Sequence, residues 1–139
     1  MRKKTCMSCG EPAMAHRTGQ TLTVSCEDEN ASVANLSGWF CPHCGEAELD
    51  AKSMARYSAA ADAVVLRCRE LRTAAIRGTR KKLGLTQRRA AELFGGGVSA
   101  FSEYERGKTQ PHKSTVVLLK LLDKHPELLA EVNPKQSRK

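Results

Sequence analysis

Four of the six cysteines in this chain fall into two matched pairs, Cys6-Met-Ser-Cys9-Gly10 and Cys41-Pro-His-Cys44-Gly45. Each Cys-x-x-Cys knuckle presents two thiolates from one tight turn, and the glycine after it relieves the backbone as it folds around an ion. Together Cys6, Cys9, Cys41 and Cys44 offer four sulfurs at about 2.3 Å from a metal in a tetrahedron, the closed shell of a structural zinc site. A lone knuckle is also the mark of a thiol redox pair, and it is the second knuckle that favours metal. Four thiolates leave no open position for a metal-bound water, and no His-x-Glu partner accompanies them, so catalytic zinc is not expected. His16 and His43 are accordingly read as non-ligating. One Zn2+ ion would contribute on the order of 10 kcal/mol of apparent binding free energy to a half-chain too small to hold itself together. No nucleophile and base pair up elsewhere, and an enzyme is not expected.

Three disulfides are the competing use of six cysteines. Met1-Arg-Lys-Lys runs into cysteines instead of an apolar signal core, and no apolar run approaches the roughly 18 residues that span a bilayer, so a reducing, cytoplasmic setting without a membrane role is the expectation. Cys26 and Cys68 stand outside the knuckles. They read as small buried apolar residues, with redox sensing as the alternative.

The knuckles are 31 residues apart, longer than a usual zinc ribbon, so the segment between them must have structure of its own. Thr21–Cys26 and Ser32–Phe40 are predicted as two strands with Glu27–Ala31 as the hairpin turn. Trp39, the only tryptophan, is expected to pack over that hairpin. Residues 51–77 contain neither glycine nor proline, and Met54, Tyr57, Ala61, Val64, Cys68, Leu71 and Ala75 alternate steps of three and four. That is a helical seam, and it is open whether one helix or two hinged helices carry it.

Charge divides the chain. The net +8 hides six basic against eight acidic residues, or −2, over 1–66 and seventeen against seven, or +10, over 67–139. A basic C-terminal half points to a polyanion partner. Within it, residues 70–84 are predicted as a first helix. Thr86 caps a second over Gln87–Phe94, Gly95–Gly97 form a tight turn, and Val98, Phe101 and Tyr104 mark the inner face of a third that ends at Gly107. A further helix is expected from Ser114 to Leu122 and a last turn from Pro126, part of whose apolar content would form a two-fold dimer contact. A basic tail from about residue 133 is expected to be disordered. The fold class is therefore α+β: a small four-cysteine zinc domain with a β-hairpin, residues 1–66, joined to an all-α, five-helix, repressor-like helix-turn-helix domain, residues 67–139.

The outward set Gln87, Arg88, Ser99, Ala100, Glu103 and Arg106, with Lys108 beyond, suits a DNA groove. Gln87, Arg88, Arg106 and Lys108 are assigned to phosphates, and Arg77, Arg80, Lys81 and Lys82 form a basic edge beside them. Ser99, Ala100 and Glu103 face the bases, Ala100 towards a thymine methyl and Glu103 as an acceptor from cytosine N4.

Thr86-Gln87, Ala91, Gly97-Val98, Phe101-Ser102 and Glu105-x-Gly107 resemble the phage-repressor (Xre/Cro) pattern. The longer string FGGGVSAFSEYERGKTQPH with STVVLLKLLDKHPELL resembles the C-terminal half of the MqsA (YgiT-type) antitoxin family, and the four-cysteine N-terminal domain extends the likeness over nearly the whole chain. The resemblance implies a type II toxin-antitoxin pair in which the zinc domain neutralises a ribonuclease toxin, while a homodimer represses its own operon at a palindromic operator. In the family pattern an asparagine stands at Ser99 and an arginine at Glu103; a carboxylate there implies a different operator or a weaker grip on it. A zinc-containing regulator without a toxin, and a thiol-redox or RNA-binding zinc ribbon, are the rival classes.

Overall fold

The computed structural model describes residues 3–133. A three-stranded antiparallel sheet in the order β1-β2-β3 comes first, from Ala15–Cys26, Glu29–Phe40 and Ala47–Leu49. The helices follow: α1 (Ala51–Lys82), α2 (Gln87–Phe94), α3 (Ala100–Glu105), α4 (Lys113–Lys124), a 3-10 turn at Pro126–Leu128 and α5 (Leu129–Val132). The α+β class expected from the residues is the class observed. Two compact units divide the chain, Met1–Cys68 and Arg69–Lys139.

In the first unit the hairpin is longer and its turn tighter than the sequence suggests. β1 and β2 pair from Ala15↔Phe40 to Cys26↔Glu29, leaving only Glu27-Asp28 as the turn, with Glu27 at φ 53. The polar flanks carry no hydrophobic alternation, because only stretches of β2, at Val33, Leu36 and Gly38, are buried; ladder hydrogen bonds, not side-chain burial, extend the rest. Gly38 faces Leu49 across β2 and β3. A Cβ there would lie 2.5 Å from the Glu48 carbonyl oxygen, so the third strand can approach only a glycine. Ser53, buried on α1, accepts the Ser37 amide at 2.8 Å, and Asp50 donates its own amide to Ser37 at 2.9 Å, which fixes where the helix leaves the sheet.

Helix α1 runs without a break for 32 residues. Of the predicted seam Met54 is exposed, with Ser53 buried in its place; Tyr57 and Ala61 are half-buried and Val64 and Cys68 buried, and beyond them the seam slips by one position: Leu71 and Ala75 are exposed, and Ile76 and Thr79 are the buried residues. A strict alternation of three and four averages 3.5 residues, whereas a straight helix turns every 3.6, so a seven-residue repeat drifts around the surface.

The second unit is built around Ile76, Leu85, Ala90, Ala91, Phe101 and Leu119, with Leu83, Leu93, Phe94, Tyr104 and Leu129 packed against them. Thr86 caps α2 by accepting the Arg89 amide at 3.1 Å. Gly95, Gly96 and Gly97 take φ of 84, 101 and 89, three successive left-handed angles that only glycine tolerates in a row, and they turn α2 into α3. Val98 is not on the inner face as predicted: it is 80% exposed. Helix α4 starts one residue earlier than expected, because the His112 side chain, not Ser114, provides the cap by accepting the Ser114 amide. Its buried residues are Leu119 and Leu122, while Val117 and Leu121 are exposed. Of the tail expected to be disordered, residues 134–139 lie outside the described residues; Asn133 is buried and accepts a hydrogen bond from Arg89.

Candidate metal centre and nucleic-acid interface

The two knuckles are near copies in their backbone bonding. Cys6 donates its amide to Glu11 O at 2.9 Å and accepts Gly10 N at 2.9 Å; Cys41 donates to Glu46 O at 2.9 Å and accepts Gly45 N at 3.1 Å. Each turn is clasped by a short antiparallel pairing, Lys4↔Met14 for the first and Phe40↔Ala47 for the second. The four sulfurs of Cys6, Cys9, Cys41 and Cys44 lie within 4.8 Å of one another, with Cys6 to Cys44 and Cys9 to Cys41 both at 3.6 Å. A tetrahedron with metal–sulfur bonds of about 2.3 Å has edges near 3.8 Å, so the cluster fits a zinc ion and can hold a metal of that size.

The electrostatics of the thiols point the same way. The Cys44 backbone amide, against the effect of burial and with help from the His43 amide, draws the Cys41 thiol down to about 7. For Cys9 the Glu11 amide also favours the thiolate, but burial and the three neighbouring sulfurs outweigh it and push the thiol up to about 12. For Cys44 the Glu46 amide favours the thiolate, as does Cys9, but burial, Cys6 and Cys41 outweigh them and raise the thiol. Four sulfurs this close cannot all ionise on their own; a divalent cation among them removes the repulsion and displaces the protons. Cys6 and Cys41 are buried beside Met14 and Trp39, while Cys9 and Cys44 face outward. Trp39, expected over the hairpin, packs against this cysteine cluster. His16 turns to Asp50 at 2.9 Å and meets Trp39 edge to face, and His43 is exposed.

The predicted DNA-facing residues are brought to one side only in part. Arg88, Ser99, Arg106 and Lys108 are exposed. Ala100 is not: at 4% exposure it is part of the core, beside the turn at Gly96, and it cannot reach a base. Gln87 also faces inward, donating to Glu105 at 3.0 Å. Glu105, whose side chain is 1% exposed, is bound by Arg80 through both Nε and Nη2 and by Arg77 at 3.4 Å. Burial would raise its carboxyl, but Arg80, Gln87 and Arg77 together hold it below the usual 4.5. Two members of the expected basic edge, Arg80 and the more exposed Arg77, are therefore tied to a buried carboxylate, and Lys82 pairs with Asp123 at 3.5 Å. Arg88 lies 3.7 Å from Glu92 on its own helix.

A protein-family model described as the antitoxin component of a bacterial toxin-antitoxin system, MqsA, matches residues 4–133. The chain belongs to the MqsA antitoxin family. Its similarity to the Escherichia coli (strain K12) protein named Antitoxin MqsA is 44% identity over 102 residues, covering 72% of this chain and 78% of that one. In this MqsA-family chain Ser99 and Glu103, both expected to face the bases, are bonded to each other: Ser99 Oγ donates to Glu103 at 3.3 Å, and Thr109 Oγ1 donates to the other carboxylate oxygen at 3.4 Å. Thr109 was not among the sequence candidates, and no local signal marks it, since it reaches Glu103 from beyond the end of α3. Exposed Val98 was likewise assigned to the core, because three residues at intervals of three imitate an inner face.

Proposed function

We propose that this protein is the antitoxin of a type II toxin-antitoxin pair, in which a zinc-clamped N-terminal unit neutralises a ribonuclease toxin and a C-terminal helix-turn-helix represses the operon as a homodimer on a palindromic operator. The observation that carries the reading is the family match over residues 4–133, which takes in the first knuckle and the last helix, so both modules belong to one kind of protein. Zinc is the metal assigned to the four thiolates, on their number and spacing. An N-terminal half with net −2, made more negative by a metal tetrathiolate, suits a basic RNA-cleaving partner.

In the groove, exposed Val98 takes the thymine-methyl contact first assigned to Ala100, and Ser99 with Glu103 acts as a joined acceptor pair for cytosine N4. Arg88, Arg106 and Lys108 contact phosphates. Gln87 serves to orient α2 through Glu105. One helix-turn-helix makes few base contacts, so a dimer placing two recognition helices about 34 Å apart is required, and exposed Val117 and Leu121 on α4 offer the apolar surface for it. Co-purification with the product of the adjacent gene, followed by promoter binding with and without that product, is the test. The reading requires a stable complex and a promoter shift by the dimer; promoter binding with no protein partner favours the toxin-free regulator.

A further inference from the structure

Cys26 and Cys68 take no part in the metal cluster, yet the fold brings their sulfurs to 2.7 Å of each other. The Cys68 thiol is also directed at the Cys26 carbonyl oxygen, at 3.1 Å. Cys26 ends β1 beside the hairpin turn, and Cys68 lies on α1, 42 residues later. Arg67, next to Cys68, pairs with Glu29 at 3.1 Å across the same turn, so the strand ends and the helix are held together by a contact that does not involve sulfur. A disulfide bond is about 2.05 Å long and forms between Cα atoms held at suitable separation; closing this pair calls for sulfur movement of well under an ångström.

We propose that Cys26 and Cys68 form a dithiol that hydrogen peroxide oxidises to a disulfide, a modification site separate from the metal centre and independent of the toxin and operator readings. Cys26 is half-buried and has access to solvent, whereas Cys68 is 2% exposed. The Cys26 side chain, and next burial, push the Cys68 thiol up to about 11; with Cys68 shut off from solvent, Cys26 is the sulfur that peroxide reaches. Its thiolate attacks one peroxide oxygen, the O–O bond breaks, Cys26 becomes a sulfenic acid, and the other oxygen leaves as water after gaining a proton. The Cys68 sulfur then displaces the sulfenic hydroxyl; the S–S bond forms, the Cys68 thiol proton is lost to the departing hydroxyl, and a second water leaves. Two thiols and one peroxide give one disulfide and two waters. The second step is intramolecular, between groups already in contact, and outruns further oxidation of Cys26.

The test uses the zinc-loaded full chain titrated with hydrogen peroxide. Free thiols are alkylated at each point, the protein is digested without reductant, and released zinc is measured in parallel. A Cys26–Cys68-linked peptide is expected at roughly tenfold less peroxide than releases the metal, since a metal-shared thiolate is the poorer nucleophile. The thermal midpoint should rise by several degrees, of the order of 5 °C, and return with dithiothreitol; Cys26→Ser and Cys68→Ser should abolish both changes. Sulfinic acid at Cys26 with Cys68 still alkylatable, or metal release before any cross-link, overturns the proposal. Because the linked peptide is read on the unsubstituted protein, poor folding of either variant does not decide the outcome.

Discussion

The two units use different means to stay folded. At the knuckle end of the first unit the buried cluster is Cys6, Met14 and Cys41 with Trp39 beside it, so two of its three buried side chains are also candidate metal ligands. The second unit has six buried apolar residues in one cluster, from four helices and the loop between α1 and α2, with five more packed around them, and its buried Glu105 carboxylate is fully partnered. An apolar core sums many small dispersion and transfer contributions, and no single atom is indispensable. A core made of ligands depends on one ion. The comparison teaches that the same chain should fail in two unrelated ways.

Removing the metal should produce the largest effect. Structural zinc sites contribute on the order of 10 kcal/mol of apparent binding free energy, and without the ion the four crowded sulfurs cannot all ionise. A chelator, or Cys41→Ser, should therefore bring the Cys6, Gly10, Cys41 and Gly45 amides into rapid hydrogen exchange, while Leu85 and Ala90 in the second unit keep their protection. Mild acid should do the same, as protons compete for the sulfurs. Loss of protection at Leu85 and Ala90 together with the knuckles would mean that the units are one cooperative block and that the contrast is false.

Glu105→Ala comes next. Removing one partner of a buried ion pair costs about 3–5 kcal/mol because the other charge is left behind; here that charge is Arg80, with Gln87 losing its acceptor as well. The second unit alone should lose stability, read as a lower midpoint in its denaturant transition with the metal still bound. The acid limb follows from the direction of the shift. The Glu105 carboxyl sits below its ordinary 4.5 in the folded chain, so its contribution is complete above about 4.5 and disappears as pH falls through the folded value. Glu105→Gln should flatten that limb; an unchanged acid limb would show that other carboxylates carry it.

These contrasts also explain what could be read from the residues. The knuckles and the capped, glycine-turned helices are local features: Cys-x-x-Cys-Gly and Thr86 with Gly95–Gly97 each dictate their own geometry within a few positions, and the residues expected there form those turns. What escaped is set across distance. Glu105 looks like any surface glutamate until Arg80 and Gln87 are folded around it. A six-residue α3 has fewer than two turns, too few to establish a period, so Val98 and Ala100 were given each other's environments. Cys26 and Cys68 were each placed in an apolar interior, but their contact needs the hairpin and α1 to be assembled first.

The smallest effect on folding, and the one that sharpens the contrast at the binding surface, is Glu103→Arg. Glu103 is partly exposed on α3 and its carboxylate is held by Ser99 and Thr109 at 3.3 and 3.4 Å, long hydrogen bonds whose loss should change stability by no more than about 0.5 kcal/mol. On DNA the change is of another order. A carboxylate in the groove repels phosphates and gives up the guanidinium contact to guanine; an arginine reverses both. Non-specific binding should tighten, and the slope of log affinity against log salt should steepen by about 0.9 for each phosphate gained. Ala100→Ser should leave that slope alone, because position 100 is buried in the core. An unchanged salt slope for Glu103→Arg would place α3 outside the groove, and the second unit's exposed cations Arg88, Arg106 and Lys108 would then need a different polyanion to explain them.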